Sequence, residues 1–180
     1  IVPHNALELM NIAASIARQA GDLVATGRVR GTGNVDIKSS PTDVVTQWDQ
    51  ASESLIVERL EHLRPNDSVL GEEGTQTRGT SGITWLVDPI DGTSNFVRGV
   101  PVWASLIALV HDNVPVLGVV SAPAMRMRWW AHASGDAFFN GDKIRVSDIG
   151  ELRRASLSIT VIKYWHDVDP DGMLENLQRN

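Results

Sequence analysis

A chain of 180 residues, 42% apolar and 21% charged, can bury one good core, and a single domain over residues 1–180 is the expectation. A formal net charge of −6 argues against nucleic acid or an anionic membrane as partner, and the lack of Cys excludes thiol catalysis, disulfides and Cys-ligated zinc. No apolar run approaches the ~20 residues of a membrane span and no signal-peptide pattern is seen, so a cytoplasmic location is expected.

In chain order, Asn5 and Glu8 fit a capping box, and Ala6, Met10, Ala13, Ala17, Ala20 and Val24 mark one face of a first helix. Gly27, Gly31 and Gly33 are expected to end it. Val35 to Lys38 reads as a short strand. Thr46 to Leu63 reads as an amphipathic helix burying Trp48, Ala51, Leu55, Ile56, Leu60 and Leu63, stopped by Pro65. Asp49, three residues after Thr46, is a capping partner on this reading. Lys38 and Asp43 read as part of a solvated loop. Ser68 to Leu70 is a strand leading into Glu72 and Glu73, and strand alternation sends those two side chains to opposite sides, so that at most one faces inward. Thr75 to Gly82 is a polar loop.

The chain is organised around its next stretch, Trp85 to Phe96. An apolar run from Ile83 to Val87 ends abruptly in Asp88 and Asp91, with Pro89 expected to stop the strand and Gly92 to allow a tight turn. Asp-Pro and Asp-Gly alone signal only a loop. Two acids at the mouth of a buried strand, however, must be solvated, paired or metal-bound. Thr93 is expected to cap a short helix, so that Gly92, Thr93 and Ser94 aim N–H groups into the same space. Carboxylates for hard cations beside N–H groups for an anion describe a metal-assisted phosphate site.

Val97 to Pro101 reads as an irregular link. Two apolar runs, Trp103 to Val110 and Val114 to Ser121, flank a hairpin turn at His111-Asp112-Asn113. Met127 to Ala133 and Asp136 to Phe139 continue the antiparallel pattern, Asn140-Gly141 is a type I′ turn signal, Ser156 to Ile162 is a further strand, and Pro170 to Gln178 a final helix. His4, His62, His111, His132 and His166 are scattered singly and read as surface or satisfied residues, and the Trp129-Trp130 pair reads as packing. Two helices followed by a mostly antiparallel sheet make an α+β layered domain.

The run Asp88-Pro89-Ile90-Asp91-Gly92-Thr93-Ser94-Asn95-Phe96, with Gly71-Glu72-Glu73 and the stretch Lys38 to Asp49 upstream, resembles the inositol monophosphatase superfamily. Its members are magnesium-dependent, typically lithium-sensitive phosphomonoesterases, and the resemblance runs from Leu7 to Thr160. It implies a layered αβαβα fold of which this chain is the N-terminal, larger part. It also implies two or three Mg2+ held by Glu72, Asp88, Asp91 and the carbonyl of Ile90, with Asp91, Gly92, Thr93 and Ser94 binding the substrate phosphate. On the same resemblance Thr93 and Asp49 form a dyad that deprotonates the attacking water, Glu73 supports the water network, and Lys38 and Asp43 flank a loop that closes over the site and helps with an additional metal.

The segments Asn95 to Leu106 and Arg126 to Ala131 are similar to actinobacterial histidinol-phosphate phosphatases, whereas Lys38 to Asp49 and Gly71 to Gly74 are equally similar to inositol monophosphatases. A small alcohol phosphate, histidinol phosphate or myo-inositol monophosphate, is the substrate so implied. Fructose bisphosphate, a 3′-phosphonucleotide and a non-catalytic fragment are the alternatives. The i, i+3 spacing of Asp88 and Asp91 does not fit the D-x-D of aspartyl-phosphate phosphatases, and no P-loop or EF-hand spacing occurs. Family members continue through a second α/β part with a W-D-x-A-type motif whose Asp completes a metal site. Trp165-His166-Asp167 is the nearest string and does not match, so the chain is expected to be part of a longer protein, with a homodimer as the family's usual state.

Overall fold

In the computed structural model, residues 6–40, 43–133 and 135–156 are described. Small and apolar residues at helical spacing build α1 (Ala6–Arg30), whose buried face includes Leu9, Ala13, Ile16, Ala17, Ala20 and Val24. The helix does not end at Gly27. That residue lies inside it, where a Cβ would fall 2.5 Å from Cδ2 of the Trp48 indole. Gly27 is therefore a packing notch for the neighbouring helix, and the chain leaves α1 only at Gly31, which takes φ 113.

A hairpin, β1 (Val35–Ser40) and β2 (Asp43–Thr46), leads into α2 (Gln47–Leu63). Thr46 caps α2 in the expected box: its hydroxyl accepts from the Trp48 N–H, and Asp49 Oδ2 accepts from the Thr46 N–H at 2.8 Å. The buried stripe of α2 is rotated from the expected one. It comprises Asp49, Ser52, Glu53, Ile56 and Leu60, while Trp48, Ala51 and Leu55 are half-buried and Leu63 is 49% exposed. Substituting Gly27 by Ala should push Trp48, whose Nε1 donates to Gly31 O at 2.9 Å, off its seat. Net of the better helix propensity of Ala we expect a loss of about 1–2 kcal/mol, seen as a melting temperature lower by roughly 2–8 °C.

The remaining strands form one eight-stranded sheet in the order β10-β9-β8-β7-β6-β5-β3-β4. They are β3 (Ser68–Gly71), β4 (Gln76–Thr77), β5 (Ile83–Asp91), β6 (Ala104–His111), β7 (Val114–Ala122), β8 (Met127–His132), β9 (Ala137–Phe139) and β10 (Asp142–Ile144). Only the β3–β5 pair is parallel. The short β4 lies within the stretch expected to be loop, and β10 follows the Asn140-Gly141 turn, whose positive φ values of 50 and 102 fit the I′ signal. Trp129 pairs with Phe139 and Trp130 with Phe138 across β8 and β9, with ring centroids 5.1 and 5.7 Å apart, which is the packing role.

One sheet face carries Trp85, Val87, Ile107, Leu109, Leu117 and Val119 and packs against α1 and α2 to form the main core. The other face exposes Leu70 and Leu86. The described residues thus hold one helical and one sheet layer of the expected stack. The described residues up to 145 form one compact unit, and the described part of the second, 146–156, holds a single 3-10 turn at Leu152–Arg154. Asn5 of the expected α1 capping box, the strand expected over Ser156 to Ile162 (past its first residue), the final helix from Pro170 and Trp165-His166-Asp167 lie outside the described residues.

Strand β5 is fixed at both ends. Its start is pinned by Asp67, which accepts from the buried Trp85 indole at 3.0 Å, from Ser81 Oγ at 2.7 Å and from Arg64 Nε at 2.8 Å. Burial pushes the Asp67 carboxyl up, but these donors and the Arg64 charge outweigh it and hold the group below its usual value. Its end does not stop at Pro89, as the strand runs on to Asp91. Lacking an N–H, Pro89 sits where the ladder to β6 shifts register between Asp88 and Asp91, and its carbonyl accepts from the buried Ser105 hydroxyl at 2.8 Å.

Candidate active site

The register shift at the end of β5 places Asp88, Ile90 and Asp91 around one mouth. Gly92 then turns the chain in left-handed geometry (φ 82) into α3 (Thr93–Arg98). A side chain at Gly92 would be strained by that φ, and its Cβ would lie 3.0 Å from Val102 O. Gly92, not Thr93, is the N-cap; Thr93 is the first helical residue, and no side chain caps the helix. Val97 and Arg98, expected in an irregular link, complete α3. The helix is held by Phe96, whose ring meets Trp103 edge-on at 5.3 Å, and by Arg28, whose Nε donates to Phe96 O at 2.9 Å. Asn95 Nδ2 donates to Val102 O at 2.8 Å.

A cleft of about 210 Å3 is lined by Val44, Glu72, Asp88, Ile90, Asp91, Gly92, Thr93 and Ser94. Glu72, Asp88 and residues 90–94, the expected metal ligands and phosphate contacts, therefore line the same small cleft, whereas Lys38 is not among its lining residues. Asp49, 1% exposed, stands behind it. Its two oxygens do different jobs: Oδ2 accepts from the N–H and hydroxyl of Thr46 at 2.8 and 2.6 Å, and Oδ1 accepts from Thr93 Oγ1 at 2.9 Å. Thr93 Oγ1 also lies 2.9 Å from Ile90 O. Capping partner and partner of Thr93 are thus the same residue. Burial raises the Asp49 carboxyl, against the pull of the hydrogen bonds from Thr46 and Thr93.

Glu72 and Glu73 lie in a turn beyond β3 rather than in the strand, so alternation does not separate them. Both approach Lys38 of β1, whose Nζ is 3.1 Å from Glu72 Oε1 and 2.6 Å from Glu73 Oε1. Lys38 thus lies in strand β1 rather than in a loop, exposed but ion-paired. Its ammonium is destabilised by burial but held by the two carboxylates, with a net raised pKa. Glu73 is pushed up by burial, against the Lys38 hydrogen bond and charge. Asp43 opens β2.

Asp88 carries the strongest electrostatic tension. Burial, a hydrogen bond shared with Glu72 and the charges of Glu72 and Asp91 push its carboxyl up to about 8, against a backbone N–H from Ile90. Its Oδ1 is buried and without a hydrogen-bond partner. Among the described residues no group of three or more His, Cys, Asp or Glu converges as a ready-made cation cage. The donor set nonetheless suits a small hard cation that keeps part of its water: an orphaned carboxylate oxygen, two acids beside it, and an ammonium already drawn onto Glu72.

Sequence reasoning did not single out Glu53. It is 3% exposed on α2, with Oε2 accepting from the Glu73 N–H at 2.7 Å and Oε1 from the Thr75 N–H at 3.0 Å.

Acids clustered at the end of a sheet strand, beside the N-terminus of a helix, are an arrangement that can serve a cation and an anion together. The family model for the inositol monophosphatase family matches residues 5–179, and the chain belongs to that family. It is 47% identical over 161 residues to a histidinol-phosphatase of Mycobacterium tuberculosis, covering 86% of this chain and 61% of the relative. To human inositol monophosphatase 1 it is 35% identical, covering 83% of this chain and 55% of that protein. The structure superposes on an IMPase of Thermotoga maritima with TM-score 0.74 and 34% identity, covering 81% of this chain and 56% of that one. The chain thus spans a little over half to about three-fifths of the length of these relatives, and it shares the α+β fold of the part it covers.

Proposed function

We propose that this chain is the N-terminal part of a longer, Mg2+-dependent phosphomonoesterase acting on a small alcohol phosphate, with histidinol phosphate ahead of myo-inositol monophosphate. The observation that carries the reading is the buried, partnerless Asp88 Oδ1 between Glu72 and Asp91, set over the N-terminus of α3. Glu72, Asp88, Asp91 and the Ile90 carbonyl would hold the metal. When bound, Mg2+ would supply positive charge that favours ionisation of water and offsets charge on the transferring phosphoryl group.

The chain's own groups do the rest. The α3 N-terminus at Gly92, Thr93 and Ser94 offers N–H donors to the phosphate oxygens. Thr93, donating its proton to Asp49, presents oxygen lone pairs to a water. As that water attacks phosphorus, its proton passes to Thr93 Oγ1 and the Thr93 proton passes to Asp49, whose burial suits it to take one up. The P–O bond to the alcohol breaks, and the alkoxide leaves with a proton from solvent. The substrate ranking rests on the higher identity to the relative named histidinol-phosphatase. No helix among the described residues is long and apolar enough to cross a membrane. A small metabolite in the cytoplasm and a homodimeric state complete the proposal.

The test is phosphate release, with and without Mg2+, from histidinol phosphate and myo-inositol 1-phosphate side by side, by this chain and by its longer parent. Mg2+-dependent release by the parent, faster with histidinol phosphate, is the expected result. Faster release from the inositol ester would reverse the ranking, and silence from this chain beside an active parent would mark it as a non-catalytic fragment. Silence from both would overturn the enzyme.

A further inference from the structure

We infer that Glu53 is a positioning residue for the acid turn of this site: it fixes the Glu72–Glu73 segment and places a buried negative charge behind it, and so sets the affinity for Mg2+. The inference rests on the function proposed above.

The turn after β3 is held from two sides. Toward β5, the Glu72 N–H donates to Val87 O at 3.0 Å, and across the turn the Gly71 N–H donates to Thr75 O at 2.8 Å. Toward α2, both Glu53 oxygens are used, one on the Glu73 N–H and one on the Thr75 N–H. The two amides bracket Gly74, which has φ 107, so the clamp spans the sharpest point of the turn. Room for the carboxylate exists only because residue 71 is glycine: a Cβ there would fall 2.4 Å from Glu53 Cδ. Helix α2 thus supplies Asp49 to Thr93 from its first turn and Glu53 to the acid turn from its second, with both carboxylates on its buried stripe. One rigid element aligns both halves of the cleft.

Stability alone does not account for this choice of residue. Burying a carboxylate is costly, and among the described residues Glu53 has no Lys or Arg ion-pair partner, only the two amides. A negative charge fixed behind a cleft already crowded by Glu72, Asp88 and Asp91 becomes favourable when a cation sits among them. Groups behind metal ligands typically change metal affinity by about 10–100-fold when removed.

The experiment measures Mg2+ binding by calorimetry and Mg2+-dependent phosphate release in the full-length parent, in Glu53→Gln and in Leu60→Ala. Glu53→Gln keeps the shape but loses the charge, and it turns an NH2 toward one of the two amides. The Mg2+ Kd should rise about 10–100-fold, while kcat at saturating Mg2+ stays within about threefold. Leu60→Ala, a cavity two turns further along the same helix, should lower the melting temperature and leave the Mg2+ Kd unchanged. Should Glu53→Gln not fold, Gly71→Ala, which presses on the carboxylate from the other side, and Glu53→Asp, which keeps the charge but reaches one amide, replace it. Gly71→Ala is expected to weaken Mg2+ by a similar factor and Glu53→Asp by a smaller one. Unchanged Mg2+ affinity in the folded variants beside a parent that binds Mg2+, or an equal shift in Leu60→Ala, overturns the role of Glu53 alone. A parent that neither binds Mg2+ nor releases phosphate overturns the proposed function as well.

Discussion

Replacing Asp88 by Asn in the phosphatase proposed above should lower kcat/KM for phosphate release by about a thousandfold or more, without destabilising the metal-free protein. The activity loss follows from the chemistry proposed for the cleft: Asn removes the charge most crowded by its neighbours, and cation stabilisation of a phosphoryl transition state is a matter of several kcal/mol, each 1.36 of which is tenfold in rate. Metal-free stability should respond in the other direction. Without metal, Asp88 is a carboxyl pushed up to about 8 by burial, by its hydrogen bond with Glu72 and by the charges of Glu72 and Asp91. An amide of the same shape cannot ionise and can donate to Glu72. Parallel measurements of phosphate release and of thermal unfolding in EDTA check both halves. Turnover near that of the parent would remove Asp88 from the site, and a large loss of metal-free stability would make it a structural residue. Asp91→Asn should follow the same pattern for activity.

The parts legible in the sequence were those where one pattern has one physical meaning. An apolar strand that ends in two acids and a glycine has few structural uses, and β5, Asp88, Asp91 and Gly92 come together in one cleft. Hairpin turns at Asp112-Asn113 and Asn140-Gly141 follow from left-handed backbone preferences, and both residues of each pair have positive φ. The misreadings arose where a local rule met a tertiary contact. Gly27 looks like a helix stop, but its missing side chain seats Trp48. Pro89 looks like a strand stop, but β5 absorbs it at a register shift. Thr93 looks like a cap, but Gly92 takes that position and frees the Thr93 hydroxyl for Asp49.

Glu53 is the instructive omission. A Glu in mid-helix reads as a solvated face, yet Asp49, Glu53, Ile56 and Leu60 fall at i, i+4, i+7 and i+11, the spacing of a single buried stripe. The signal was an acid inside an apolar repeat, and it became readable once the capping role of Asp49 fixed the phase of α2. The contacts of Lys38 with Glu72 and Glu73 had no such signal, because they join residues 34 and 35 positions apart through a hairpin whose docking no local pattern encodes.

Metal-free protein should become less stable as pH rises from about 4 to about 8, and Mg2+ should abolish that decline. For a carboxyl whose pKa is raised on folding, the native state holds a proton over a range in which the unfolded chain has lost it, so stability falls with pH between the unfolded and folded values. For Asp88 that window runs from its ordinary value of 3.8 to about 8, and the raised carboxyls of Asp49 and Glu73 act in the same direction. Asp67 acts oppositely: held below its usual value, it stabilises the protein above about pH 4 and loses that contribution as pH falls further. The metal-free optimum therefore lies on the acid side of neutral, with the melting temperature several degrees lower at pH 8 than at pH 5. A bound cation requires ionised Asp88, so below pH 8 it must displace a proton, and the Mg2+ Kd should weaken by up to about tenfold for each unit of further acidification. Thermal unfolding between pH 4 and 9, in EDTA and in excess Mg2+, reads both effects. A metal-free melting temperature that rises steadily to pH 8, or a Mg2+-induced shift as large at pH 5 as at pH 8, would mean that Asp88 is ionised without a cation and that its buried oxygen is satisfied by some other donor.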